Sequence, residues 1–256
     1  MPAPTKNNGN MALASFSYKL LSVISVFIGS ISLVLFFAFV LGGPLKIIDL
    51  KLDDTGTLLT NTFLSVMYFV QHSLMIRDSI RSKIIKILPN ESFYAFHSIS
   101  SGTTLFLVII FWQESPSIIT SFAEPYCVIL RLLQFISILG LIWGVKSLKT
   151  FDPFGRKQIS KFIKNKKAEQ ENQFVYSGPY NFIRHPFYFF ILIMIWAYPI
   201  ISADRLLFIC LWTGWIIIGT ILEEKDLVNQ IGEEYREYKK KVPMLIPYKI
   251  FTKLEK

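Results

Sequence analysis

Two short polar segments hold the densest group of side chains that could bind a charged ligand. Arg184 and His185 stand directly before one apolar run, and Glu223 and Glu224 stand directly after the next apolar run. An arginine can bind a carboxylate through two parallel hydrogen bonds, and a glutamate can pair with an ammonium group. Together the two segments suit a ligand that carries both a carboxylate and a positive centre.

A helix start and several aromatic rings accompany these charges. Pro186 suits the first turn of a helix, where its missing N–H costs nothing, and Gly178-Pro179 predicts a turn shortly before it. The free N–H groups of that first turn favour an anion. Four tyrosines close to the charged residues could offer ring faces to a cation: Tyr180, Tyr188, Tyr235 and Tyr238.

The elements that must position these residues are the apolar runs 187–202 and 206–222. Only Ala203, Asp204 and Arg205 separate the runs, so we expect two antiparallel helices joined by a tight turn. Each run would form roughly 24–26 Å of helix, near the roughly 30 Å of a bilayer core. The hairpin would bring its two polar ends to the same membrane face. By composition alone, such charges are also typical of plain interfacial flanks.

The whole chain has the composition of a membrane protein, with 52% hydrophobic and 15% aromatic residues. Length and scarcity of charge predict an all-α integral membrane protein with about six transmembrane helices. The predicted spans are 17–41, 58–76, 93–112, 126–146, 187–202 and 206–222. The first run is too long for a cleaved signal peptide and predicts a retained helix, preceded by a disordered tail over residues 1–16.

Lysine and arginine placement predicts the orientation. With a cytosolic N-terminus, twenty-three of the 27 basic residues fall in cytosolic segments and three in the opposite loops. This asymmetry predicts cytosolic N- and C-termini and places both polar ends of the hairpin at the cytosolic face. We expect one domain over 17–256, in four consecutive parts: a four-helix scaffold (17–146), a basic interfacial linker (147–186), the helical hairpin (187–222) and a cytosolic tail (223–256).

The net charge of +9 is explained by basic residues at the membrane edge, without a nucleic-acid partner. These residues are expected to face anionic headgroups of membrane lipids, and 156–170 could form a short amphipathic surface helix. Cys127 and Cys210 fall in apolar spans without metal-ligand spacing, so we expect neither a metal site nor a disulfide.

Polar residues also occur upstream of the hairpin. His72 ends the second predicted span, and His97 opens a third span that is rich in serine and threonine. Small polar residues of this kind often serve helix packing through hydrogen bonds. The other interpretation is that they line a polar cavity over the active site, where His72 or His97 could act as a base.

The motifs Tyr180-x-x-x-Arg184-His185-Pro186-x-Tyr188, Glu223-Glu224-x-x-Leu227, Gly232-Glu233-x-Tyr235-x-x-Tyr238 and Val242-Pro243 flank the hairpin. In order and spacing they resemble the C-terminal half of the isoprenylcysteine carboxyl methyltransferase superfamily, which includes phospholipid methyltransferases. A looser similarity over 60–250 points to the branch with bacterial methanethiol S-methyltransferases, NnrU-type proteins and the nuclear-envelope protein nurim. Lys241 stands where isoprenylcysteine enzymes often carry arginine, which makes a carboxylate acceptor less favoured.

The resemblance implies S-adenosylmethionine as methyl donor. Its carboxylate would pair with Arg184 and the first N–H groups of the fifth span, its ammonium with Glu223 or Glu224, and its sulfonium would lie near tyrosine rings. The residues so implied in cofactor binding are Tyr180, Arg184, His185, Pro186, Tyr188, Glu223 and Glu224. A thiol acceptor must also lose its proton. The candidate bases are His185, Glu223 and His72, with His97 a further possibility.

The leading hypothesis is therefore an integral-membrane methyltransferase that converts a small lipophilic thiol, methanethiol, to dimethyl sulfide. The alternatives are methylation of a prenylcysteine carboxylate or a lipid amine, and a non-catalytic scaffold like nurim. A transporter is less favoured because only Arg131 lies well inside a predicted span. The predicted location is a bacterial inner membrane, or the endoplasmic reticulum or nuclear envelope of a eukaryote. The sequence does not indicate an oligomeric state.

Overall fold

The computed structural model describes residues 6–148, 152–164 and 176–248, with side chains from Ser15 onward. The protein is mostly helical, with α1 Lys6–Gly42, α2 Asp54–Ile76, α3 Asp78–Ile84, α4 Phe93–Phe111, α5 Tyr126–Ser147, α6 Arg156–Ile163, α7 Pro186–Trp196, α8 Ala203–Ile231 and α9 Glu233–Lys241. Short 3-10 helices cover Asn90–Ser92 and Gly178–Asn181, and strands β1 Ile118–Ser121 and β2 Ile200–Ser202 pair antiparallel.

Among the residues that the structure describes, four helical segments are long and apolar enough to cross a membrane: Ser15–Gly42, Asn90–Phe111, Tyr126–Ser147 and Ala203–Ile231. Helix α7 is apolar but has only 11 residues, shorter than the run that predicted a span there. Helix α2 is 23 residues long but lies outside this set. The mostly helical architecture is confirmed, whereas the count of six spans and the orientation of the termini stay predictions.

Helix α1 begins at Lys6, within the segment whose polar composition predicted a disordered tail. A helix that already exists extends at the cost of fixing one residue per added hydrogen bond. The apolar run that follows therefore allows the helix to continue into a polar sequence. Residues 1–5 lie outside the described residues, as does part of the predicted amphipathic helix, of which α6 forms Arg156–Ile163.

The chain divides into two compact units. The first contains the described parts of 1–37, 66–110 and 152–170. In it, Gly155 begins α6 with φ +67°, and a Cβ there would come within 2.5 Å of the Ala95 backbone nitrogen. Glycine is therefore required both by conformation and by space. Ile159 on α6 is buried, and the Phe162 ring contacts Tyr18 at 4.9 Å between centroids.

The second unit contains the described parts of 38–65, 111–151 and 171–256. Its main helix pair is α5 with α7, which approach closely because α5 carries glycines at the contact. A Cβ on Gly140 would come within 2.3 Å of the Phe190 ring, whereas one on Gly144 would meet Phe187 at an ordinary 3.5 Å. This packing fixes α7, and therefore the residues at its start.

The predicted tight turn at Ala203–Arg205 is wrong, because these residues form the first turn of α8. The chain reverses earlier, over 197–199 and strand β2. Asp204 is almost fully buried and accepts hydrogen bonds from Trp112 Nε1 (3.0 Å), the Ser115 N–H (3.0 Å) and the Ser202 hydroxyl (2.6 Å). A satisfied carboxylate in the first turn of a helix is also favoured by helix polarity.

Arg205 was expected in an exposed loop and is instead buried. Its guanidinium donates to the carbonyls of Phe39 and Val40 in the last turn of α1, and it lies 4.0 Å from the centre of the Tyr198 ring. A cation at a helix C-terminus satisfies carbonyls that lack helical partners. The two charged residues that suggested a solvent-facing turn thus have protein partners.

Candidate active site

The two residues before α7 are paired with the C-terminal segment. The Arg184 N–H donates to the Pro243 carbonyl at 2.9 Å, and the His185 N–H donates to the Met244 carbonyl at 3.2 Å. His185 is the N-cap of α7, and Pro186 is its first helical residue, as the sequence predicted. These backbone bonds hold the chain after α9 alongside the start of α7.

Glu224 is the charged centre of this region, and only 5% of its side chain is exposed. Three side chains contact its carboxylate. Arg184 Nε lies 2.6 Å from Oε1, His185 Nε2 lies 3.2 Å from Oε1, and Lys239 Nζ lies 2.9 Å from Oε2. A buried charge is stable only when it is paired and hydrogen-bonded, and these three partners supply that pairing.

Arg184 also binds the end of helix α9. Its Nη1 donates to the Lys239 carbonyl at 3.1 Å and to the Val242 carbonyl. These carbonyls belong to the C-terminal turn of α9, where helical partners are lacking. Since only 8% of the Arg184 side chain is exposed, its hydrogen bonds mainly join α7, α8 and α9 to one another.

Glu223 has a different environment from its neighbour, because 44% of its side chain is exposed. The Tyr188 hydroxyl donates to its Oε2 at 2.8 Å, and His185 Nδ1 lies 3.8 Å from the same atom. The rings of His185 and Tyr188 are nearly parallel, 5.6 Å apart at an angle of 12°. Glu223 is therefore the accessible carboxylate of the pair.

The contacts of His185 define its tautomer when the ring is neutral. Glu224 can only accept a hydrogen bond when ionised, so Nε2 carries the hydrogen that points at its carboxylate. Nδ1 then holds the lone pair on the side of Glu223. A nitrogen in this state can accept a proton, with Glu224 fixing the ring.

Three tyrosines near the site, Tyr180, Tyr235 and Tyr238, carry phenols that stay neutral. Tyr235 and Tyr238 are buried in a cluster with Val242, and the Tyr238 hydroxyl donates to the Tyr180 carbonyl at 2.6 Å. Burial raises the pKa of Tyr180, and the negative charge of Glu223 raises it further. Burial likewise raises the pKa of Tyr235 and of Tyr238. None of the three is therefore a base near neutral pH.

The structure brings together Arg184, His185, Glu223 and Glu224, as the hairpin predicted, and adds Lys239, which the sequence interpretation missed. A signal for it existed. Tyr235, Tyr238, Lys239 and Val242 recur at helical spacing in α9, which places them on one face. The sequence predicted only a cytosolic tail over 223–256, so the side chains on this face were not assigned to the site.

His72 belongs to the first unit and to a polar cluster between α2 and α4. Its Nδ1 lies 3.1 Å from the Ser101 hydroxyl, its carbonyl lies 3.0 Å from His97 Nε2, and its ring stacks on Tyr68. Nearby, Gln71 donates to the Ser100 hydroxyl at 2.8 Å. These contacts fit helix packing through hydrogen bonds, and a role for His72 as a base stays a prediction.

An apolar cavity of about 240 Å³ lies in the second unit at the α5–α7 contact. Its walls are entirely apolar, and the residues that form them are Trp143, Pro179, Phe182, Ile183, Phe189, Phe190 and Pro247. Ile183 directly precedes Arg184 in the chain. Among the residues that the structure describes, no cluster of three His, Cys, Asp or Glu side chains could hold a metal ion.

Comparison with known proteins identifies the family. The family model described as phospholipid methyltransferase matches residues 126–234. A methanethiol S-methyltransferase 1 from Bradyrhizobium diazoefficiens is 29% identical over 248 residues, which covers 90% of this chain and 85% of that protein. A methanethiol S-methyltransferase from a Pseudomonas species is 33% identical over 200 residues, covering 76% and 75%.

A more distant relative is the protein-S-isoprenylcysteine O-methyltransferase of Xenopus laevis, which is 30% identical over 137 residues, or 49% of this chain and 46% of that protein. No solved structure matches the chain. The relatives support an enzyme rather than a non-catalytic scaffold. The chain belongs to the methanethiol S-methyltransferase family, within the methyltransferases that the phospholipid methyltransferase model describes.

Proposed function

We propose that the protein transfers a methyl group from S-adenosylmethionine to a small lipophilic thiol, with methanethiol as acceptor and dimethyl sulfide as product. The observation that carries the proposal is the meeting of the Arg184–Glu224 ion pair with the His185 ring and the Glu223 carboxylate. It occurs in a chain similar to relatives named methanethiol S-methyltransferase. The names of these relatives support the reaction, and the contacts support these residues as its site.

The chemistry of the side chains fits this donor. When bound, S-adenosylmethionine supplies a methyl group on a positively charged sulfur, attached to an amino-acid chain with a carboxylate and an ammonium. Glu223, being half-exposed, suits the ammonium. The parallel rings of His185 and Tyr188 suit a positive sulfur. The cations around Glu224 and the first N–H groups of α7 suit the carboxylate.

His185 is the base in this proposal. A thiol becomes a good nucleophile only as a thiolate, so its proton must leave as the new carbon–sulfur bond forms. Nδ1 of His185 accepts that proton, while Glu224 holds Nε2–H and stabilises the imidazolium that results. Arg184 and Lys239 keep Glu224 ionised by their positive charge, which keeps the ring in the required tautomer.

We place the site at the cytosolic face of the membrane. The support is the distribution of basic residues in the sequence and the four helices of membrane length in the described part of the chain. S-adenosylmethionine is a charged, water-soluble molecule, whereas methanethiol partitions into lipid. A site at the membrane edge can receive the first from the cytosol and the second from the bilayer.

The apolar cavity favours a second candidate acceptor. With about 30 Å³ per water-sized group, a volume of about 240 Å³ holds roughly eight such groups. Methanethiol has two non-hydrogen atoms and would leave most of this space unfilled. A lipid-like acceptor with an apolar chain, such as a prenylcysteine or a lipid amine, would use the cavity fully.

The test is donor binding followed by product detection. Protein purified in detergent should bind S-adenosylmethionine in a calorimetric titration and, with labelled donor and methanethiol, release labelled dimethyl sulfide into the headspace. Glu223→Gln should weaken donor binding. The control is Glu233→Gln, which removes a carboxylate that is 67% exposed on α9. Absence of donor binding by the wild-type protein would contradict the whole proposal.

The same assay separates the two acceptors. We expect turnover of methanethiol to exceed that of octanethiol or of a farnesylcysteine when each is offered at equal free concentration. Replacing Phe182 by Trp, which narrows the cavity at a lining residue that is 45% exposed, should leave methanethiol turnover largely unchanged. A preference for the long-chain acceptors that this replacement abolishes would support the second candidate instead.

A further inference from the structure

We propose that Lys239 binds the carboxylate of the methyl donor. The proposal rests on the proposed function, since it assigns one residue to one group of S-adenosylmethionine. Lys239 is the most accessible of the three nitrogen-bearing side chains that contact Glu224. Its side chain is 36% exposed, against 8% for Arg184 and 6% for His185.

Arg184, which the sequence favoured for this role, is engaged elsewhere. It donates to Glu224 and to the two carbonyls at the end of α9. A ligand carboxylate that replaced Glu224 as the partner of Arg184 would break the hydrogen bonds that connect α7, α8 and α9. It would also have to reach a side chain that is 8% exposed.

Lys239 can take a second carboxylate at lower cost. Glu224 keeps Arg184 and His185 as partners on Oε1 when the ammonium of Lys239 moves from Oε2 or bridges to a ligand. The buried charge therefore stays paired, and the penalty for an uncompensated buried ion does not arise. An ammonium has three donors on a flexible stem, which suits it to bridge two carboxylates.

The position of Lys239 on α9 distinguishes it from its lysine neighbours. Lys239 shares a helix face with the buried Tyr235, which directs it toward the site. Lys240, the next residue, is 67% exposed and pairs with Glu237 on the outer surface of the same helix at 2.5 Å. Helix geometry turns successive residues away from each other by about 100°, so the two lysines form a matched pair for comparison.

The test compares two ligands across variants. S-adenosylmethionine and its decarboxylated analogue are each titrated by calorimetry into wild-type protein and into the variants Lys239→Ala, Lys239→Arg and Lys240→Ala. We expect Lys239→Ala to weaken binding of S-adenosylmethionine about tenfold, and to change binding of the decarboxylated analogue by less than twofold. Lys239→Arg should keep most of the affinity, and Lys240→Ala all of it.

The two-ligand comparison separates a ligand contact from a structural role. If Lys239 only holds Glu224 or α9 in place, Lys239→Ala will weaken the binding of both ligands by the same factor, and the proposal is overturned. Unchanged binding of S-adenosylmethionine overturns it equally. If wild-type protein binds neither ligand, the proposed function fails as well. If the wild-type protein binds both ligands and Lys239→Ala loses affinity for both equally, the role of Lys239 is refuted and the proposed function is not.

Discussion

The two adjacent glutamates of α8 should respond differently to the same replacement. Glu224→Ala removes a carboxylate that is 5% exposed and that contacts Arg184, His185 and Lys239. The Arg184 guanidinium would then be left buried without its counter-charge. Breaking a buried pair by removing one partner costs about 3–5 kcal/mol of unfolding free energy. We expect the lower end, about 3 kcal/mol, because Arg184 keeps two carbonyl acceptors on α9.

For a chain of this size, that loss corresponds to a fall in Tm of about 6–12 °C. The control is Glu223→Ala, whose side chain is 44% exposed, and which should cost under about 1 kcal/mol. Thermal unfolding of both variants in the same detergent, followed by far-UV circular dichroism, measures the difference. Glu223→Ala should instead lower the affinity for S-adenosylmethionine.

Two outcomes would refute this reasoning. A Glu224→Ala protein that unfolds at the wild-type temperature would mean that the buried ion pairs contribute nothing net to stability. Equal destabilisation by Glu223→Ala and Glu224→Ala would mean that exposure does not distinguish the two positions. In either case we would have to abandon the conclusion that Glu224 stabilises the contact between α7, α8 and α9.

Three further predictions follow from other parts of the structure. Gly140→Ala should cost about 1–3 kcal/mol through overpacking, whereas Gly144→Ala, with ordinary contact distances, should leave the thermal unfolding temperature nearly unchanged. Burial raises the pKa of the Tyr238 phenol in the folded protein. As the pH rises, the unfolded chain therefore loses the phenol proton before the folded protein does, above about pH 10. The unfolding free energy should therefore fall as the pH rises past that value, and the fall should be shallower in Tyr238→Phe in a pH series of thermal unfolding. His185→Asn should lower kcat about 100-fold or more even when the donor is saturating. His72→Asn, on the first unit, should retain most of kcat in the same headspace assay.

The sequence predicted that Arg184 and Glu224 meet, because the lengths of the apolar runs strongly indicate where two helices begin and end. Two consecutive apolar runs of similar length fold back on each other, and residues at their outer ends then meet regardless of side-chain detail. The start of α7 at Pro186 was equally predictable, since proline at the first helical position follows from its missing N–H.

The position of the turn was not predictable from the same signal. Asp204 and Arg205 suggested a solvent-facing loop, because isolated charges between apolar runs usually lie at a membrane surface. Their partners are the Trp112 indole and the carbonyls that end α1, and these lie far away in the chain. Only the tertiary structure shows that both charged groups have hydrogen-bond partners inside the protein, which allows α8 to start at Ala203.

The glutamate pair shows why two carboxylates in succession suit this site. Successive residues of a helix point about 100° apart, so one helix position can face α9 while the next faces α7. Glu224 meets Arg184 and Lys239, and Glu223 meets the Tyr188 hydroxyl and remains half-exposed. If Glu223 binds the ammonium of the donor, as we propose, one glutamate holds the helices together while its neighbour binds the ligand. The donor can then occupy Glu223 while Arg184 and His185 keep their contacts with Glu224.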